Sequence, residues 1–277
     1  MTAANLYALG AIALWATLAS LGVALSHLPP FLLTGVALLV GSVASWPWYR
    51  QWRIPLSTVA LGVYGLFGYH FLLFMALRTA PPLEANLVNY LWPLLIVVLA
   101  PVFLRGIAMR PVHVLAAVAG FAGAALAIIG GRDVSGGPAW GYLAAAGAAF
   151  IWAGYSLLTK RVAHFPTAAI GLFGLVSGLL ALACHALLEP SVALSTRDLL
   201  LIGVVGLGPL GAAFFLWDAA LKRSDPRRVG LLSYLTPLAS TLLLALTTGR
   251  ALTPWIAGAA LLIVGAAVVG LRTRSSG

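Results

Sequence analysis

Long apolar stretches separated by short polar segments dominate the chain. Cutting these stretches at charged residues and at proline and glycine clusters leaves segments near the ~20 residues that cross a bilayer as a helix. The segments cover residues 3–25, 31–49, 56–77, 83–104, 111–130, 139–159, 167–188, 198–220, 229–248 and 254–271. Continuous runs favour helices over the short alternating strands of a membrane β-barrel. The pattern therefore predicts an all-α integral membrane protein with ten transmembrane helices.

The composition supports this prediction and excludes several classes of protein. Of the 277 residues, 62% are hydrophobic and 8% are charged, whereas soluble domains carry about 25% charged residues. Ten spans leave only short loops, which excludes a soluble enzyme domain. Cys184 is the single cysteine, so neither a disulfide framework nor a thiolate metal site is expected. We therefore expect a protein that is not an enzyme and has no catalytic residues, metal or cofactor.

The distribution of arginine and lysine predicts the orientation in the membrane. Twelve basic residues lie on the side of the N-terminus and four on the other side, and cytoplasmic loops carry the excess of such residues. The first group comprises Arg50, Arg53, Arg105, Arg110, Lys160, Arg161, Lys222, Arg223, Arg227, Arg228, Arg272 and Arg274. The second comprises Arg78, Arg132, Arg197 and Arg250. Both termini are thus predicted to be cytoplasmic, and the net charge of +10 is no sign of nucleic-acid binding.

The second half of the sequence repeats the first. The segment Gly10–Ala16 corresponds to Gly147–Ala153, with Trp15 matching Trp152. Further on, Leu87–Leu94 corresponds to Leu231–Leu238, and this register also aligns Phe71 with Phe215 and Pro82 with Pro226. Each unit has five spans, an odd number, so the two units are predicted to enter the membrane from opposite sides. We expect a first repeat over 1–132 and an inverted second repeat over 133–277, which is typical of transporters.

Prolines interrupt equivalent spans of both repeats. Pro93 lies near the middle of span four and Pro237 near the middle of span nine, and a proline inside a helix frees the carbonyl four residues earlier. Those carbonyls belong to Asn89 and Ser233, and a tyrosine follows each of these residues. Inverted-repeat transporters bind substrate at such paired breaks near the bilayer midplane. This pairing predicts that the two breaks line a substrate cavity.

Aromatic residues and glycines add to the predicted cavity. Trp15 and Trp152 lie near the centres of spans one and six, and Trp92 directly precedes Pro93. Indoles at this depth serve either to pack helices or to form an aromatic wall for rings and cations. His70 either bonds a neighbouring helix or contacts substrate. Glycine clusters mark spans three and eight as bending points, at Gly62, Gly65, Gly68, Gly203, Gly206, Gly208, Pro209 and Gly211.

The acidic residues argue against ion coupling. Glu84 opens span four, where it can satisfy a helix N-terminus, and Asp218 stands four residues before Lys222, where an ion pair explains it. No carboxylate lies at the centre of a span, as coupled carriers usually require. We therefore expect facilitated transport, although a site built from carbonyl groups could still bind a coupling ion. The sequence also lacks a phosphate-binding loop for ATP. A pore or assembly protein and an intramembrane enzyme stay open as minor alternatives.

The repeated motifs carry a resemblance to a known family. They are the Gly-x4-Trp-Ala of spans one and six, the Tyr-Leu-x-Pro-Leu of spans four and nine, the segment Asn86–Pro93, and Tyr69-His70. These residues resemble the drug/metabolite transporter superfamily, EamA-like branch, and most of all its YddG-type amino-acid exporters. The resemblance covers nearly the whole chain. It implies a basket of helices around a central cavity, alternating access, and export of aromatic and other neutral amino acids across a bacterial inner membrane.

Residue patterns and resemblance together give the expected site and function. The residues expected to bind substrate are Trp15, Tyr69, His70, Asn86, Asn89, Tyr90, Trp92, Trp152, Ser233 and Tyr234, and the helix breaks are expected at Pro93, Pro209 and Pro237. The expected partners are a small-molecule substrate and the lipid bilayer, with a monomer as the simplest assembly. The alternative function is a multidrug or other small-metabolite exporter, proton-coupled in one version, because an aromatic cavity also suits flat cations.

Overall fold

A computed structural model describes residues 2–131, 133–134, 136–248 and 253–272. Three of the arginines in the predicted charge distribution, Arg132, Arg250 and Arg274, lie outside these residues. All regular secondary structure in the described ranges is helical. The all-α fold class predicted from the hydrophobic pattern is confirmed.

The first half of the chain contains eight α-helices. They are α1 (Ala3–Ala16), α2 (Leu18–Ala24), α3 (Pro30–Val43), α4 (Leu56–Val63), α5 (Tyr69–Thr79), α6 (Pro82–Asn89), α7 (Trp92–Phe103) and α8 (Pro111–Ile129). In the second half, the described residues form α9 (Ala139–Leu158), α10 (Ala169–Leu188), α11 (Thr196–Leu207), α12 (Ala213–Arg223), α13 (Pro226–Ser233), α14 (Leu235–Thr248) and α15 (Pro254–Arg272). Several consecutive helices together form one longer span, as α1 and α2 do over Ala3–Ala24.

Eight helical segments in the described part of the chain are long and apolar enough to cross a membrane. They are Ala3–Ala24, Leu56–Thr79, Pro82–Phe103, Pro111–Ile129, Ala139–Leu158, Ala169–Leu188, Thr196–Arg223 and Pro226–Thr247. A ninth is obtained if α3 is taken together with the helix that follows it, and α15 contributes the shorter apolar stretch Pro254–Val269. The chain is therefore a multi-pass membrane protein.

The predicted second span, residues 31–49, ends earlier than its apolar character suggested. α3 ends at Val43, and a 3-10 helix over Trp46–Trp52 leaves it at an angle of 89°. Pro47 occupies the first turn of this 3-10 helix, and three of its aromatic side chains, Trp46, Trp48 and Tyr49, are about half exposed. Amphipathic aromatic rings collect at membrane interfaces. The segment therefore has the geometry of a helix that lies along a membrane interface, which the continuous span predicted over 31–49 did not anticipate.

The interruptions of the helices recur at equivalent positions of the two halves. A π-helical turn over Tyr64–Gly68 separates α4 from α5, and another over Gly208–Ala212 separates α11 from α12. The sequence register that aligns Phe71 with Phe215 also aligns these two turns, residue for residue. In the same register α6 ends at Asn89 and α13 ends at Ser233. The prolines and glycines of both halves thus produce the same local geometry.

Equivalent helices of the two halves also pack against each other. α3 packs along its equivalent α10, and α8 packs along its equivalent α15. The contact of α1 with α12 has its counterpart in the contact of α9 with α5. The crossing of α3 and α10 is close because Gly35 and Gly178 meet there: a Cβ added at Gly178 would lie 2.9 Å from the carbonyl oxygen of Gly35. Small residues permit such approaches between membrane helices. This packing leaves a cavity between the central helices.

Candidate functional site

A cavity of about 410 Å³ lies among the central helices. Eight of the ten predicted binding residues line it: Trp15, Tyr69, His70, Asn86, Asn89, Tyr90, Trp92 and Trp152. Its wall follows α1 and α2 from Trp15 to Leu25 and reaches Pro30, the first residue of α3, and Leu77 near the end of α5. The cavity therefore extends from mid-span to the end of the bundle opposite the N-terminus.

Tryptophans from both halves form the inner end of this cavity. The ring centroid of Trp15 lies 6.5 Å from that of Trp92 and 5.9 Å from that of Trp152. Trp217 joins the cluster at 5.2 Å from Trp15, but it is buried behind the wall and does not line the cavity. Edge-to-face and tilted ring contacts of this kind add about 0.5–1.5 kcal/mol each beyond area burial. The cluster therefore gives the cavity a rigid aromatic floor.

The π-helical turn of the second half provides the acceptor for one indole. Nε1 of Trp15 donates a hydrogen bond of 3.0 Å to the carbonyl of Pro209, the second residue of that turn. A π-helical turn changes the regular i to i−4 hydrogen-bond pattern of the helix, so a carbonyl within it can accept a bond from another helix. Pro209, predicted as a helix break, therefore holds Trp15 in place across the interface between the two halves.

The π-helical turn of the first half fixes the orientation of His70 in a similar way. Nδ1 of His70 lies 2.6 Å from the carbonyl oxygen of Leu66, inside that turn. A carbonyl only accepts hydrogen bonds, so Nδ1 carries the proton of the neutral ring. No described residue donates to Nε2, and His70 lines the cavity. Nε2 is therefore a hydrogen-bond acceptor at the cavity wall.

Asn89 offers a second acceptor beside this histidine. Its Nδ2 donates a hydrogen bond of 3.1 Å to the hydroxyl of Tyr69, whose ring packs 5.0 Å from that of His70. The other amide atom, Oδ1, is buried and has no hydrogen-bond partner among the described residues. The break after Asn89 places this amide at mid-span. The first half thus has one acceptor in the cavity wall, at His70, and a second, buried acceptor beside it, at Asn89.

The two remaining predicted binding residues lie elsewhere. The hydroxyl of Ser233 donates to the carbonyl of Gly230 at 2.6 Å and is fully buried. Tyr234 is also fully buried, and its ring packs where Gly120 of α8 leaves room for it. Neither residue lines the cavity. α13 packs against α7 and α15, and this packing turns Ser233 and Tyr234 away from the centre of the molecule.

The cavity instead receives residues of α14 and α12 that the sequence reasoning missed. Thr236 and Ser240 lie one helical turn apart on α14, and Phe214 lies at the start of α12. The repeat contained the signal for two of them: Thr236 aligns with Trp92, and Phe214 aligns with His70. Transferring the predicted binding residues Trp92 and His70 to their equivalent positions in the second half would have identified both residues.

The two acidic residues considered for coupling are held in structural contacts. Lys222 approaches Asp218 to 2.6 Å and also donates to the carbonyl of Phe165, and Thr167 donates to Asp218 at 2.7 Å. The predicted Asp218–Lys222 pair is confirmed. Glu84 lies in the first turn of α6 and accepts hydrogen bonds from the Tyr142 hydroxyl and from the backbone. No Asp, Glu, Lys or Arg of the described residues lines the cavity.

Basic loops close the end of the bundle at which the N-terminus lies. Arg227 binds Asp225 through Nε and Nη2, at 3.1 and 2.5 Å, and its Nη1 donates to the carbonyl of Ala108. Burial raises the pKa of Asp225, but the hydrogen bonds from Arg227 outweigh burial and hold that pKa below its ordinary value. The α7–α8 and α12–α13 loops are thereby tied together.

Comparisons with known proteins agree with this geometry. The model of the EamA-like transporter family matches residues 2–129 and again residues 139–271. A curated relative from Ancylobacter novellus, named aromatic amino acid exporter YddG, is 42% identical over 97% of this chain and 96% of its own length. A crystal structure of a chain 41% identical to this one superposes with a TM-score of 0.90 over 97% of both chains.

Proposed function

The chain belongs to the EamA-like transporter family, and from this premise we propose that it exports aromatic and other neutral amino acids across a bacterial inner membrane. The observation that carries the proposal is a mid-span cavity with an aromatic floor, neutral polar groups and no charged lining residue among those described. Such a wall packs against the ring of an aromatic amino acid. Family and relative both point to transport rather than to catalysis.

The proposed architecture has ten transmembrane helices in two inverted five-helix repeats, over residues 1–132 and 133–277, around the central cavity. Two matches to one family model, separated near residue 130, support it. The matching π-helical turns and the packing of α3 on α10 and α8 on α15 support it as well. In this architecture α3 with its interfacial helix is the second span, and α15 is the tenth.

The proposed transport cycle is alternating access with both termini in the cytoplasm. The excess of basic residues at the N-terminal end supports this orientation. The cavity reaches the opposite, arginine-poor end, and in the proposed orientation this end would face outwards. Breaks in opposing helices at mid-span are the positions where such carriers rearrange. Rocking about these breaks would close the outer end and open the basic end.

The proposed mode of transport is facilitative. A coupled carrier usually places a titratable or ion-binding carboxylate in its central site. Here Asp218 is engaged by Lys222 and Thr167 beside the basic loops, and Glu84 is engaged by Tyr142. Transport then follows the amino-acid gradient, which points outwards from a cell that accumulates the substrate.

Efflux from proteoliposomes tests the proposed function. We expect labelled phenylalanine to leave vesicles containing the protein faster than empty vesicles, at a rate that does not change when a pH gradient is imposed. Labelled threonine tests the range of neutral substrates, and a lipophilic cation tests the multidrug alternative. Efflux of the cation alone would refute amino-acid export. Efflux only in the presence of a pH gradient would refute the facilitative mode.

A further inference from the structure

The cavity presents acceptors on one side, and a zwitterionic substrate also needs donors. An amino acid carries an ammonium group, which donates, and a carboxylate, which accepts. On the first half of the chain, Nε2 of His70 and Oδ1 of Asn89 are both acceptors without a protein donor among the described residues. Both acceptors can take a hydrogen bond from the ammonium group, but they repel the carboxylate, which has no proton to donate. No lysine or arginine in the described lining provides the opposite charge.

A donor lies on the second half of the chain, in the first turn of α14. Thr236 is the second residue of this helix, lines the cavity and is 5% exposed. Its Oγ1 is buried and has no hydrogen-bond partner among the described residues. Leaving a buried hydroxyl without a hydrogen-bond partner is unfavourable. A group that binds in the cavity can relieve this cost by accepting a hydrogen bond from Thr236.

The position of this hydroxyl favours an anion. α14 begins at Leu235, at the break in its span, so the positive end of its dipole lies at mid-span beside the cavity. In carriers with broken helices, the N-terminal ends of half-helices bind anionic groups of the substrate. Ser240 lies one turn further along the same face and also lines the cavity. The low polarity of the surroundings strengthens the attraction of an anion both to the helix dipole and to the hydroxyl of Thr236.

We infer that Thr236 and the N-terminal end of α14 bind the carboxylate of the substrate, while His70 and Asn89 face its ammonium group. This inference rests on the proposed function and adds to it the orientation of the bound amino acid. The two halves of the cavity differ at one equivalent position of the repeat. Thr236 occupies the position that Trp92 holds in the first half, so the second half contributes a hydroxyl where the first contributes a ring. Substrates without a carboxylate gain nothing from Thr236.

The test compares ligands with and without a carboxylate. In proteoliposomes containing the full chain, unlabelled phenylalanine and phenethylamine, its counterpart without the carboxylate, compete against the flux of labelled phenylalanine. Thr236→Val removes the hydroxyl at nearly constant volume. Loss of a hydrogen bond to a charged group corresponds to about tenfold or more in affinity. We expect Thr236→Val to lower the apparent affinity for phenylalanine by about this factor and to leave the affinity for phenethylamine unchanged. Thr236→Ser keeps a hydroxyl and should recover most of the lost affinity.

Thr241→Val is the matched control. Thr241 lies on the same helix, but its hydroxyl contacts the carbonyl of Ala127 and it does not line the cavity. We expect this variant to bind both ligands as the unmodified protein does. Unchanged phenylalanine affinity in Thr236→Val, or equal weakening of both ligands, would overturn the carboxylate site. An unmodified protein that moves no amino acid would instead overturn the proposed function itself.

Discussion

Single aromatic side chains connect the two halves of this protein at the level of individual atoms. The indole of Trp15 needs an acceptor in the low-polarity interior, and the carbonyl of Pro209 supplies it from the other half of the sequence. Trp217 satisfies the same need by donating to the hydroxyl of Ser156 at 3.2 Å. The aromatic floor is thus fixed by directional hydrogen bonds as well as by ring packing.

Trp92 offers the most direct residue-level test of this floor. Its ring lies 6.4 Å from Trp152 and 5.5 Å from Trp217, and it lines the cavity. We expect Trp92→Ala to reduce phenylalanine efflux about tenfold, because it removes a ring that packs against the ring of the substrate, and an aromatic pair contributes about 0.5–1.5 kcal/mol beyond area burial. Trp92→Phe keeps a ring and should retain part of the activity.

Trp140→Ala is the control for this experiment, because that side chain is about half exposed. Size-exclusion chromatography of the detergent-solubilised variants would show that they insert and stay folded. Normal efflux by a folded Trp92→Ala protein would exclude Trp92 from the site.

At the residue scale, the sequence predicted the first half of the cavity better than the second. Proline and the repeat located the breaks at Asn89 and Ser233, because the chemistry of proline acts locally. The face that each residue presents depends on neighbouring helices, and here Gly120 of α8 leaves space that the ring of Tyr234 fills. No local pattern contains that information. As a result, the polar residue that the second half contributes to the cavity is Thr236, about one helical turn after the predicted Ser233.

At the scale of elements, α3 lies in backbone contact with the second π-helical turn. A Cβ added at Gly41 would lie 2.7 Å from the carbonyl oxygen of Gly206 and 2.8 Å from the Cα of Gly211. Backbone atoms cannot move aside as side-chain ends do. The contact joins α3, whose first residue borders the cavity, to the turn that carries Pro209. The packing of α3 and the position of this turn therefore depend on each other.

Gly41→Ala tests this connection. Forcing a methyl group into a filled interface costs about 1–3 kcal/mol, so we expect a lower thermal unfolding midpoint in detergent and slower efflux. Gly203→Ala on α11 is the matched control, because a Cβ there meets no atom within 4 Å. Alanine is the better helix former, by about 1 kcal/mol, so this control should be neutral or stabilising. A Gly41→Ala protein as stable as the control would contradict the predicted close approach.

At the scale of the whole molecule, hydrophobic runs and basic loops were enough to predict the all-α membrane class. The boundaries of most predicted spans agree with the helices to within a few residues. The second span is the exception, because its aromatic residues are apolar enough to continue the run, although a new helix begins at Trp46 with Pro47 in its first turn. Apolar character measures compatibility with lipid, and it does not distinguish a helix that crosses the membrane from one that lies along its surface.

The orientation of the whole molecule can be tested with single cysteines. Cys184 is the one native cysteine, so a Cys184→Ser background allows labelling at chosen positions. Ser191→Cys lies in the α10–α11 loop and Met109→Cys in the α7–α8 loop, and both native side chains are exposed. We expect a membrane-impermeant maleimide to label Ser191→Cys in intact cells, and Met109→Cys only after permeabilisation. The reverse pattern would place the termini outside.

The π-helical turns have a consequence for how this sequence tolerates length changes. A π-turn takes in one residue more than an α-turn, and each residue advances an α-helix by about 100°. The residues before and after Tyr64–Gly68 therefore belong to two helical wheels that differ in phase by about one residue. One wheel packs Gly62 against Phe173, and the other directs Tyr69 and His70 to the cavity. Deleting a single residue between them would restore one phase and rotate the polar pair towards other helices, with hardly any change in composition.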